Sequence, residues 1–113
     1  MAQATFVQEG AAIDYTPVAD VAPGDVVVQS DLVGIAKREI KADTLGALAV
    51  EGVFDVAKEA GGGVTFSTGD LAYWDDTNDV AVTTDGGGAN KLLGKAVADA
   101  ADADATVRVR LSQ

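Results

Sequence analysis

Near the C-terminus, Val107, Val109 and Leu111 alternate with Thr106, Arg108 and Arg110. A two-residue period sends successive side chains to opposite faces, which predicts a strand with one wet face. The same period runs through Leu48, Val50, Gly52, Phe54 and Val56, where the glycine inside the pattern marks a bulge or a close backbone approach. Shorter strands are predicted over residues 5–8, 13–16, 26–29, 32–36, 71–74, 80–83 and 92–97, rich in the β-branched and aromatic side chains that suit a pleated surface. Turn chemistry separates them at Glu9-Gly10, Pro23-Gly24-Asp25, Gly61-Gly62-Gly63, Gly69-Asp70, Asp75-Asp76-Thr77-Asn78 and residues 85–88. The prediction is an all-β fold, a small barrel or sandwich over residues 1–113 as one domain. Residues 1–7 are read as an extended N-terminal arm, and helix is limited to short turns, one of them over 44–47.

Residues 91–105 carry the alternative. The stretch is alanine-rich, and alanine is the best helix former. A helix there gives a two-layer α+β fold. Against it, Gly94 weakens a helix, and Asp99, Asp102 and Asp104 fall where a helix C-terminus favours cations, so a strand followed by an acidic loop is preferred.

An internal echo adds organisation. Gly24-Asp25-Val26-Val27 leads on to Val33-Gly34-Ile35-Ala36, and Gly69-Asp70-Leu71-Ala72 leads on to Leu93-Gly94-Lys95-Ala96. Each half then supplies an alternating strand, ending in Val56 and in Leu111. The echo predicts two similar β units, with more chain between the two parts of the second.

Composition narrows the chemistry. Of 113 residues, 48% are hydrophobic yet only 5% aromatic, so the core is fine-grained and aliphatic. Eighteen acids against eight basic residues leave a net charge of -10, which repels a polyphosphate and disfavours nucleic-acid binding. With neither His nor Cys, the chain lacks the commonest general base, the thiol nucleophile and the ligands that zinc, copper and iron prefer. Residues 1–8 carry no lysine or arginine and lead into no apolar run of signal length, so a soluble, unexported chain without membrane contact is expected.

Candidate motifs read as turns. Gly86-Gly87-Gly88 followed by Gly94-Lys95 fails as a phosphate loop, because Ala89 stands where a glycine is required and Ala96 where Ser or Thr is. The run Asp75, Asp76, Asn78, Asp79 offers hard oxygens, but counted as an EF-hand it puts Val80 at the glycine position and Gly86 at the terminal glutamate. A hairpin turn after Trp74 is the preferred reading. No pair of carboxylates stands out for hydrolysis, and no catalytic, cofactor or metal residues are assigned. Tyr73 and Trp74 are adjacent, so one ring faces inward and the other outward, where it is a candidate contact.

Taken together, Phe6 to Gly10, Pro23-Gly24-Asp25-Val26-Val27, Val33-Gly34-Ile35-Ala36, Glu51-Gly52-Val53-Phe54-Asp55-Val56, Gly69 to Asp75, Leu93 to Val97 and Thr106 to Leu111 resemble a family of small tailed-phage head proteins. The resemblance covers nearly the whole chain. It implies a non-enzymatic capsid decoration or cement protein, β-rich and homotrimeric, made in the host cytoplasm and bound to the major capsid protein on the outside of the head. A β-barrel adaptor or adhesion module that binds a peptide or carbohydrate is the alternative. Candidate subunit or partner contacts are Ala2, Thr5, Phe6 and Val7 in the uncharged arm, which suits addition to a neighbour's sheet edge. Trp74, Arg108 and Arg110 complete the set, the two arginines facing acidic capsid patches or pairing within their own subunit.

Overall fold

The computed structural model describes residues 3–113, and among them the fold is β throughout except for one 3₁₀ turn at Gly86–Gly88. The strands are β1 (Ala12–Tyr15), β2 (Val26–Gln29), β3 (Leu32–Ile35), β4 (Gly46–Ala49), β5 (Gly52–Ala57), β6 (Leu71–Asp75), β7 (Val80–Val82), β8 (Lys91–Ala96) and β9 (Thr106–Leu111). They form two antiparallel sheets, one ordered β1-β4-β3-β2 and the other β5-β9-β8-β6-β7. Neither sheet closes into a barrel. The larger one curls until its edges touch at a single parallel bridge between Lys58 and Ala81.

The two sheets are versions of one unit. Setting β7 aside, the order β5-β9-β8-β6 repeats β1-β4-β3-β2, and the connections repeat bond for bond. Gly24 N donates to Ala36 O as Gly69 N donates to Ala96 O, and Ala36 N donates to Asp25 O as Ala96 N donates to Asp70 O. Asp25 accepts from Ala22 N, and Asp70 accepts from Ser67 N. The isolated bridge Val21 to Ile40 is matched by Phe66 to Ala100. Glycines 24 and 69 share a positive φ, 90° and 97°. The extra chain in the second unit is β7 with its flanking turns, inserted between β6 and β8.

This duplication moves one boundary. The alternation from Leu48 to Val56 suggested a continuous strand closing the first half, but it is two strands in different sheets. Gly52 has φ 120°, in the region that favours glycine, and turns the chain from β4 into β5. The strand ending in Val56 opens the second unit and pairs along its whole length with β9, Gly52 opposite Leu111 and Ala57 opposite Thr106. Residues 5–8 form no strand, and residues 42–44 are a turn that leads into β4 without a helical segment. Residues 91–105 are not helical either: β8 pairs with β6 and β9, and the acidic loop follows.

The core joins the units. Val33 and Ile35 of the first sheet are buried in one cluster with Val56, Phe66, Trp74, Leu93, Val107, Val109 and Leu111 of the second unit. A smaller cluster of Val21, Ala36, Ile40 and Leu48 lies inside the first unit. Because β3 meets β4 at the single pair Ile35 and Ala49, the backbone of Val33 needs another partner. The Gln113 side chain supplies it, accepting from Val33 N at 2.7 Å and donating to Val33 O at 2.6 Å. Lys58, only 4% exposed, places its ammonium against the carbonyls of Glu59 at 2.8 Å and Asp102 at 3.2 Å.

Candidate functional site

The acidic loops are tied to their own backbone. After β6, the Asp75 carboxylate accepts from Thr77 N at 3.0 Å, from Asn78 N at 3.2 Å and from Asn78 Nδ2 at 2.8 Å. This is an Asx-type turn, the hairpin reading of that run. Asp99 accepts from Thr68 N and Oγ1, Asp102 from Gly63 N, and Asp104 from Ala101 N. These bonds to the charged form hold the carboxyls of Asp75 and Asp99 below the ordinary aspartate value. Among the described residues no cluster of three acids is placed to hold a metal ion.

The predicted contact residues separate in space. Ala2 lies outside the described residues. Thr5, Phe6 and Val7 are exposed and outside any strand, with Phe6 at 78% and Val7 at 85%. Trp74 points into the core at 5% exposure, and its Nε1 donates to Asp76 Oδ1 at 3.1 Å. The ring on the opposite face is Tyr73, half-buried, which makes it the outward aromatic of the pair.

Arg108 and Arg110 share the outer face of β9 but differ in surroundings. Arg108 is directly opposite Asp55 on β5 and holds it with two bonds, Nε to Oδ1 at 2.9 Å and Nη2 to Oδ2 at 3.2 Å. The pair lowers the Asp55 carboxyl and raises the Arg108 guanidinium, mainly through that hydrogen bonding. Arg110 is directly opposite Lys95 on β8. Among the described residues neither has a carboxylate within 4.0 Å.

Around Arg110 and Lys95 lies an open groove of about 540 Å³ that also takes in Leu71, Leu92, Val97 and Gln113. Of these, Arg110 is a contact candidate from sequence, and Lys95 entered there only through the rejected phosphate loop and the internal echo. Lys95 was legible as a residue of a strand, but its position across from Arg110 needs the β8 to β9 register, which no local pattern reports.

The fold and its surface define a class: an acidic, two-sheet β module with a duplicated unit, tied loops and one open sheet face bearing cations. A family model described as phage cement protein matches residues 7–111, and the chain belongs to that family. It is accordingly a structural protein of the phage capsid. None of the curated proteins or solved structures compared with the chain matches it. No helix among the described residues is long and apolar enough to cross a membrane.

Proposed function

We propose that this chain decorates the outside of a phage head as a homotrimer and stabilises the assembled lattice of the major capsid protein. The observation that carries the reading is the match to the cement family over residues 7–111. Charge supports the outer location: three copies at -10 each bring about -30, which repels packaged DNA and is tolerated facing solvent. In this reading the whole chain works as one β domain, made in the host cytoplasm, with residues 1–7 as an arm.

The mechanism is linkage. A protein that binds the assembled lattice and not the free subunits stabilises the lattice by mass action. Three linked contacts raise the avidity about 10²-fold to 10⁴-fold over one, where geometry lets them engage together. The exposed Phe6 and Val7 suit the arm to pairing with a neighbour's sheet edge, where backbone bonds give affinity and alternate side chains give specificity.

The test compares heads with and without saturating protein under heat or osmotic shock while DNA release is followed. Retention of DNA by decorated heads is the expected result. Equal release from both rejects the cement role even where the protein is found on the particle.

A further inference from the structure

The two units treat one equivalent row of residues differently. A row of three residues crosses the first sheet: Val26 on β2 is opposite Ile35 on β3, and Ile35 is opposite Ala49 on β4. The shared hydrogen bonds equate this row with Leu71, Lys95 and Arg110 in the second sheet, where Leu71 is opposite Lys95 and Lys95 opposite Arg110. In the first unit the row is covered. Ile35 and Ala49 are each 4% exposed, and Ile35 and Val26 pack in the core shared with the second unit. In the second unit the same row is open, with Leu71 44% exposed and both cations in solvent.

The exchange of a buried Ile and Ala for Lys and Arg has a chemical reading. Like charges directly opposite on adjacent strands are unfavourable, and the free protein gives this pair no carboxylate within 4.0 Å among the described residues. Elsewhere Lys41, Lys91 and Arg108 form ion pairs and Lys58 is held by carbonyls; Lys37 and Arg38, which likewise have no carboxylate within 4.0 Å among the described residues, share their groove with Asp14 and Glu39. Leu71, Leu92 and Val97 meanwhile give the Lys95 and Arg110 groove apolar walls. It is a cationic, partly apolar strip on a chain of charge -10.

We propose that this groove docks an extended segment of the capsid subunit that carries carboxylates flanked by apolar side chains. The inference rests on the cement reading and names the surface that performs it. Charge complementarity selects this occupant, because an acidic segment meets attraction here and repulsion over most of the rest of the surface. A second copy of this chain is the competing occupant, and the oligomeric mass of groove variants tells the two apart.

The test uses the full-length protein and heads of its own phage prepared without it, with co-sedimentation read across salt concentrations. Binding by the unsubstituted protein is the check on the cement reading; its absence overturns that reading and this one together. With binding established, Lys95→Glu with Arg110→Glu is expected to weaken it roughly 10-fold or more and to flatten its salt dependence. Lys37→Glu with Arg38→Glu, an equal charge change outside the groove, is expected to have a much smaller effect. Lys95→Gln with Arg110→Gln, checked for an unchanged circular dichroism spectrum, guards against loss of fold and is expected to show the same order of weakening. Equal losses for the two sites, or no loss at the groove, overturn the assignment. A drop in oligomeric mass confined to the groove variants also overturns it, and makes the face a contact between copies.

Discussion

The carboxylates of Asp55, Asp75 and Asp99 sit below the ordinary aspartate value of 3.8, held there chiefly by hydrogen bonds from Arg108, Asn78 and Thr68 respectively. A carboxyl lowered on folding contributes stability that is present above its unfolded value and is lost as pH falls toward its folded one. The melting temperature is therefore expected to fall as pH is taken from 5 to 2. Self-repulsion of the chain at -10 eases over the same interval and opposes the trend. The discriminating measurement is consequently the difference between wild type and Asp99→Ala, which should be clear at pH 6 and shrink by pH 2 as the wild-type carboxyl is protonated. A difference that stays constant with pH would mean that the Asp99 ties to Thr68 add nothing specific to the charged form.

At the scale of the strands, Gly94 and Gly34 occupy equivalent places in the two units and meet different constraints. A Cβ on Gly94 would fall on the carbonyl oxygen of Arg110, backbone that cannot move without disturbing the β8 to β9 ladder. On Gly34 it would meet the Leu48 side chain, with Cβ at 2.8 Å and Cδ1 at 3.1 Å. Leu48 Cβ is the stem of a buried side chain, yet it needs a smaller shift than a carbonyl oxygen that overlaps the new atom. Gly94→Ala is thus expected to cost about 2–3 kcal/mol and Gly34→Ala about 1–2 kcal/mol, measured by urea unfolding of each variant. The reverse order would place the tight approach in the first unit. The strand pattern itself was legible wherever one face is wet, as in β9, because alternation records the difference between core and solvent. It misled between Leu48 and Val56, where an even apolar period runs across a change of sheet. Two strands in different sheets can share a period, and only the φ of Gly52 breaks it.

At the scale of the molecule, the Cα radius of gyration of 15.0 Å exceeds the about 13 Å of a compact domain near this length. Two sheets side by side, with residues 5–8 exposed and outside any strand, leave more surface open than a single rounded core does. Light scattering at micromolar concentration is expected to give the mass of a trimer, the oligomer argued for the decorating form. Removal of residues 1–7 is expected to lower that mass or to abolish head binding, since Phe6 and Val7 are apolar, exposed and free of strand pairing in the single chain. A truncated protein that still forms trimers and still decorates heads would remove the arm from both contacts.

Local sequence determined the all-β class, most of the strands, the turns at Gly24, Gly69 and Asp75, and the kinship of the two halves. Each depends on side-chain alternation or on residues that close a turn within a few positions of themselves. Charge determined as much, since -10 follows from composition and sets what the surface repels. The tertiary structure decided where one unit ends and the next begins, that Trp74 faces inward and Tyr73 outward, and that Arg108 has a partner in Asp55 while Arg110 faces Lys95. These are matters of register and of sheet against sheet. A shift of one residue in the pairing of β8 with β9 would turn Lys95 to the other face and leave the sequence pattern of either strand unchanged.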